Sequence, residues 1–120
     1  MADQSGGPPV AQQITFLYAE DFQRSTRFYR EIMGFKMVLD QGGCRIYQVS
    51  GSGYLGVCRR KESQEPEGKG ELIFTLVTPA VDDWYVYLVD KGVEVEGEPQ
   101  HNQEYGIYHF FLRDPAGYRL

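Results

Sequence analysis

The chain has 120 residues, 42% of them hydrophobic and 24% charged, with a formal net charge of −5, which suits one globular domain around a single core. The acidic balance, with no block of Lys or Arg, argues against nucleic acid or an anionic membrane surface as a partner. No apolar run approaches the roughly 18 residues of a membrane span and no signal-peptide pattern opens the chain, so a cytoplasmic protein is expected.

Residues 1–11 are small, polar and rich in Gly and Pro, and read as a disordered tail. Residues 13–19 (QITFLYA) form a strand with apolar residues on both faces, so both sides are expected to be covered. Asp21 caps a helix over residues 21–33, whose apolar side carries Phe22, Phe28, Tyr29, Ile32 and Met33, and Gly34 ends it. Strands follow over residues 35–39, 45–49 and 54–59, separated by turns at residues 41–43 and 51–53. Residues 61–70 (KESQEPEGKG) are a linker or exposed loop.

The pattern then restarts. Residues 71–77 form a strand, and Thr78 and Pro79 supply the N-cap and first position of a second helix. Val81, Trp84, Tyr85 and Leu88 make its apolar side, Asp82 and Asp83 sit at the favourable end of its dipole, and Gly92 ends it. Further strands are expected over residues 93–98 and 106–113, and from Tyr118 onward. Asp114-Pro115-Ala116-Gly117 is a tight turn: Pro115 presets φ, the Asp114 side chain bonds the turn backbone, and Gly117 tolerates positive φ. The chain is thus a repeat of strand–helix–strand–strand–strand, an α+β fold in two modules, about residues 12–60 and 71–120, within one domain spanning 12–120.

Cys44 and Cys58 lack a metal-ligand spacing. Two reduced thiols packed in strands are the default for a cytoplasmic protein, a disulfide between neighbouring strands the alternative. Neither thiol has a visible base partner, so neither reads as a nucleophile.

The run Leu17-Tyr18-Ala19-Glu20-Asp21-Phe22-Gln23-Arg24-Ser25-Thr26-Arg27-Phe28-Tyr29, then Met33-Gly34-Phe35, with Asp114-Pro115-Ala116-Gly117 near the other end, resembles the vicinal oxygen chelate superfamily. This group includes glyoxalases, bleomycin-resistance proteins, fosfomycin-resistance enzymes and extradiol dioxygenases. The resemblance implies two βαβββ modules forming a half-open mixed β-sheet cup, a helix packed outside each module, and a homodimer. It is specific for fold and weak for function, because this fold hosts several chemistries.

Metal-dependent members hold a divalent ion in the cup with His, Gln and Glu. The first of these places corresponds to Ile14 and its counterpart in the second module to Ile73, and isoleucine cannot ligate a metal. The last is a Glu that falls at position 121, one beyond Leu120, and the outgoing strand is expected to continue in a longer chain. A metal site built instead from Gln13, Glu71 and that further Glu is the alternative, but Gln13 and Ile14 point to opposite faces of a strand. No metal and no cofactor is therefore expected, a divalent ion entering only if residues past Leu120 supply a ligand.

If Ile14 faces the cup, strand parity adds Phe16 and Tyr18, then Ile73, Thr75 and Val77, and the resemblance adds His109, Phe111 and Arg119. Arg45, Tyr47 and Val49 share one face of their strand, which face being open at this stage. The cup is then largely apolar and aromatic, as small-molecule sites are. His109 is either a general acid–base or a structural histidine, and Arg119 either a bidentate grip on a carboxylate or phosphate or a solvent-facing strand end. His101, in a polar stretch, reads as exposed. The functional expectation is a glyoxalase/bleomycin-resistance-like protein that binds a small, partly hydrophobic molecule. The alternative is a metal-dependent lyase or dioxygenase with atypical ligands, and a third reading is an interaction module whose aromatics, such as Trp84 or Tyr105, serve a subunit interface.

Overall fold

A computed structural model describes residues 8, 11–61, 72–104 and 106–120. The expected tail and linker lie almost wholly outside them, as do Glu71 and Tyr105.

The first half is a four-stranded sheet. β1 (Gln13–Ala19) pairs in parallel with β4 (Gly53–Arg59), β4 with β3 (Cys44–Ser50) and β3 with β2 (Lys36–Asp40) antiparallel, in the order β1-β4-β3-β2. Antiparallel neighbours are joined by tight turns, whereas the parallel β1–β4 pair needs a crossover, which begins with the first helix. Asp21 caps that helix, its carboxylate accepting the Arg24 N–H at 3.1 Å. α1 (Phe22–Arg27) then widens into a π turn (Phe28–Ile32), with the Met33 N–H bonded to the Phe28 carbonyl at 3.0 Å. One uninterrupted helix was the expectation. The widened turn accompanies the burial of Phe28 and Tyr29, adjacent in sequence, in the same core. Gly34, at φ +76°, closes the helix as expected.

The second half is thinner. α2 (Val81–Asp90) starts later than expected: Ala80 is its N-cap, and the Thr78 hydroxyl instead accepts the Ala80 N–H at 3.1 Å. The expected strand over residues 71–77 reduces to a parallel bridge between Ile73 and Arg119, and that over 93–98 to a bridge between Val95 and Leu112. Gly97, at φ +85°, and Pro99, which has no N–H, interrupt the latter strand. The chain pairs again only in a short hairpin of β5 (Gln100–Asn102) and β6 (Ile107–His109). With the Arg113–Arg119 bridge, these contacts repeat the first half's pairing sense: first element parallel to the fourth, fourth antiparallel to the third, third to the second. The fold is α+β with a mixed, unclosed sheet.

Leu17 and Ala19 of β1, Tyr47 of β3, and Leu55 and Val57 of β4 are buried on the helix side. They join Phe28, Tyr29 and Met33 from the first half and Leu88, Leu112 and Leu120 from the second in one core. Two tyrosines tie the halves together. The buried Tyr29 hydroxyl donates to Asp114 Oδ2 at 2.8 Å, and the Tyr118 hydroxyl donates to the Tyr18 carbonyl at 3.0 Å. Asp114 Oδ1 accepts the N–H groups of Ala116 and Tyr118 at 2.9 and 2.8 Å, and Gly117 takes φ +93°, which is the turn chemistry expected of this stretch. Burial, and then the neighbouring Asp114, push the Tyr29 pKa well up, so the phenol stays protonated and remains the donor.

Cys44 and Cys58 stand directly opposite on β3 and β4 and are joined in a disulfide. This corrects the expectation of two reduced thiols: pairing register, invisible in the sequence, puts the sulfurs face to face.

Two outcomes follow for stability. Asp114→Ala leaves a buried hydroxyl and two turn N–H groups without their acceptor, and costs about 2–4 kcal/mol, roughly a 10 °C fall in Tm. Tyr29→Phe keeps both turn bonds and costs about 1–2 kcal/mol. A double-mutant cycle in chemical denaturation checks the pair, and additive losses would contradict a direct bond. The disulfide closes a separation of 14 residues, so reduction by a phosphine lowers stability by at most about 3 kcal/mol. Thiol alkylation with mass spectrometry before reduction finds no labelled cysteine if the bond is formed.

Candidate functional site

The side of the first sheet away from its helix carries Ile14, Phe16 and Tyr18 from β1. The register adds Cys44, Ile46 and Gln48 from β3 and Tyr54, Gly56 and Cys58 from β4. Arg45, Tyr47 and Val49, whose face the sequence left open, belong to the helix side; the buried Tyr47 hydroxyl donates to the Thr26 carbonyl at 3.4 Å.

On the open side Ile14 is 37% exposed and Phe16 42% exposed. The Phe16 ring lies directly over Gly56, where a Cβ would collide with it. A glycine inside a strand often marks such a close approach, and this was the signal in Tyr54-Leu55-Gly56-Val57 that the sequence reading passed over. The result is an aromatic ring seated over the glycine and still partly exposed.

A second cluster comes from the other half. The parallel bridge sets Ile73 beside Arg119. The Arg119 guanidinium lies 4.7 Å from the Phe111 ring centre, and the His109 ring meets Phe111 edge-on at 5.0 Å. Arg119 is not a free fork. Its Nε and Nη2 donate to Glu96 at 3.0 and 2.7 Å, and Arg113 Nε reaches the same carboxylate at 3.0 Å. Glu96 is thus a bridge between two arginines, and its position had no signature in the sequence. The Arg119 hydrogen bond, with both guanidinium charges, holds its pKa below the usual range despite some desolvation. Beside this cluster is a cavity of about 390 Å³ bordered by Glu96, His109 and Phe111 with Gln100 and His101. His101 is exposed, as expected, but stands in a strand against the Tyr108 ring at 4.7 Å.

Of the expected residues, then, Ile14, Phe16 and Tyr18 lie together on β1, and Ile73, His109, Phe111 and Arg119 lie together in the second half. The Tyr118 hydroxyl at the Tyr18 backbone connects the two groups. Thr75 borders, together with His109, an apolar hollow beside α2.

The donors present do not suit a divalent ion. Ile14 and Ile73 offer no donor atom in their side chains, and the Gln13 amide is turned to Thr15 Oγ1 at 2.7 Å, on the opposite side of β1 from Ile14. Glu96 is already committed to two arginines. Among the described residues no group of three His, Cys, Asp or Glu could hold a metal. Nor is any described helix long and apolar enough to cross a membrane.

A family model described as Glyoxalase/Bleomycin resistance protein/Dioxygenase superfamily matches residues 11–120. Among solved structures, a lactoylglutathione lyase from Agrobacterium tumefaciens is 28% identical, with a TM-score of 0.71 over 94% of this chain and 92% of that one. An integron cassette protein from the mobile metagenome of the Halifax Harbour sewage outfall is 24% identical, with a TM-score of 0.74 over 91% and 93%. A glyoxalase/bleomycin resistance protein/dioxygenase from Nocardioides is 18% identical, with a TM-score of 0.73 over 97% and 83%. A search of curated proteins found no match.

The charge cluster makes a pH prediction. Because the folded-state pKa of Glu96 is lowered, its contribution is fully present above the ordinary carboxylate range and is lost as pH falls through the lowered value. Wild type is expected to exceed Glu96→Gln by about 0.5–1 kcal/mol above about pH 5, the gap closing in acid. Urea denaturation across pH measures it, and a gap that persists in acid would contradict the pairing.

Proposed function

Since the chain belongs to the glyoxalase/bleomycin resistance protein/dioxygenase superfamily, we propose that it binds a small, partly hydrophobic molecule on the open face of its sheet, without the metal of its metal-dependent relatives. The observation that carries this reading is Phe16, packed over Gly56 and yet 42% exposed, with Ile14 exposed beside it. An apolar, aromatic surface with polar groups at one end suits a partly hydrophobic ligand. Tyr18 lies on the β1 end of this surface. Ile73, Phe111 and His109 form the other end, His109 as a hydrogen-bonding group and the candidate for acid–base work. Arg119 acts through Glu96: a ligand carboxylate gains the guanidinium only by displacing that side chain. The working unit is proposed to be a homodimer.

A second reading, a metal-dependent lyase with atypical ligands, draws on the likeness to the Agrobacterium lactoylglutathione lyase. Its ligands would have to come from residues other than Ile14 and Ile73.

Ligand-observed NMR with a panel of bicyclic aromatic acids and amides tests the first reading. Bound compounds are expected to lose about tenfold in affinity on Phe16→Ala, while Tm holds because that ring is not in the core. Affinity unchanged in Phe16→Ala would remove the open face as the site. Elemental analysis of purified protein is expected to find no stoichiometric zinc, nickel, manganese or iron. A stoichiometric metal, with lactoylglutathione lyase turnover that depends on it, would establish the second reading instead.

A further inference from the structure

Charge is divided unevenly between the two halves. Residues 12–60 carry seven basic and four acidic side chains, residues 71–120 three basic and nine acidic. The division shows on the two helices. On the first, Arg24, Arg27 and Arg30 stand three residues apart along the exposed side, with Glu31 beside them. None of these arginines pairs with an acid among the described residues. On α2 the exposed side carries Asp83, Val86 and Asp90 in one stripe with Val89 next to it, Val86 being 58% exposed and Val89 45%. Both helices pack on the same core, and the Tyr87 hydroxyl, donating to the Ile32 carbonyl at 2.7 Å, sets α2 beside the end of the first helix.

We propose that these two helix faces form a two-fold interface between copies of this chain, the first helix of each lying on α2 of the other. The inference rests on the homodimer of the preceding reading and gives that dimer its surface. Each copy carries both halves of the match, so one two-fold rotation makes both contacts at once and closes the assembly. The spacing agrees: Arg24 and Arg30 are six residues apart, about 9 Å along a helix, and Asp83 and Asp90 are seven apart, about 10 Å. Each outer arginine then meets one acid, and between them the Arg27 stem lies over Val86 and Val89. Like faces do not fit, because the first helix on its own copy would oppose arginines, and α2 on its own copy aspartates.

This interface leaves the ligand surface free. Ile14 and Phe16 are on the side of the first sheet away from its helix, so contact between helices covers neither, and each copy keeps its own open face.

Charge reversal read by analytical ultracentrifugation tests the interface. Wild type is expected to be a dimer. Arg24→Glu with Arg30→Glu, and separately Asp83→Arg with Asp90→Arg, are each expected to weaken it about a hundredfold. An equimolar mixture of the two reversed proteins is expected to recover a dimer, because each then faces the opposite charge on both helices. Val86→Arg, a single exposed change that sets a cation against Arg27, serves if a reversed protein does not fold by circular dichroism. Dimers that persist in both reversed proteins place the contact elsewhere and overturn the proposal. So do weakening in only one of them, a mixture that stays monomeric, and wild-type species that grow past the dimer with concentration. A wild-type monomer overturns it together with the homodimer, and leaves the ligand reading standing if bound compounds still lose affinity on Phe16→Ala. Ligand affinity of the reversed proteins is expected to equal that of wild type; its loss puts the open face in the contact and also overturns the proposal.

Discussion

The bond from the Tyr29 hydroxyl to Asp114 joins the first helix to the last turn across 85 residues of sequence. Asp114 organises that turn by accepting two of its N–H groups while its other oxygen receives Tyr29. Burial nevertheless raises its pKa, outweighing the bonds that favour the carboxylate. A raised acid favours folding most in acid and loses that contribution as pH rises through the raised value, the opposite sense to Glu96. The link is therefore held by geometry and satisfied hydrogen bonds more than by charge. Phe111, Arg113 and Arg119, which build one end of the candidate site, all stand on the hairpin it secures, and Tyr118 carries the connection on to β1.

The sheet has two unlike faces. On the helix side, parity along β1 and β4 buries Leu17, Ala19, Leu55 and Val57. On the other side the same alternation leaves Ile14 and Phe16 uncovered by the chain's own helices. A strand apolar on both faces can serve a core and a ligand surface at once, which is the role proposed for β1.

Charge placement narrows what each site can take. Glu96 between Arg113 and Arg119 leaves the cluster one net positive charge, and its pairing orders the guanidinium that stacks on Phe111. An isolated arginine would attract any anion; one already bidentate to a carboxylate accepts only a ligand able to compete with it. On the first sheet's open face the disulfide lies beside Tyr18, fastening β3 to β4 on the sheet that carries Phe16.

The amino-acid pattern by itself determined the repeat, the α+β class, the Asp21 cap, the glycines at positions 34 and 92 and the turn at Asp114, because each depends on periodicity or local backbone chemistry. Strand parity placed Phe16 and Ile14 together, while the expectation of isoleucines at two metal-ligand places rested on the family resemblance. Tertiary structure alone decided what depends on register and on distant partners. Cys44 meets Cys58 because β3 and β4 align at those positions, and Arg119 is occupied because Glu96 arrives from a separate segment. The strand expected over residues 93–98 fell short of its apolar pattern because Gly97 and Pro99 stop the ladder. Sequence periodicity specifies which face a residue takes; only the assembled chain specifies what stands opposite it.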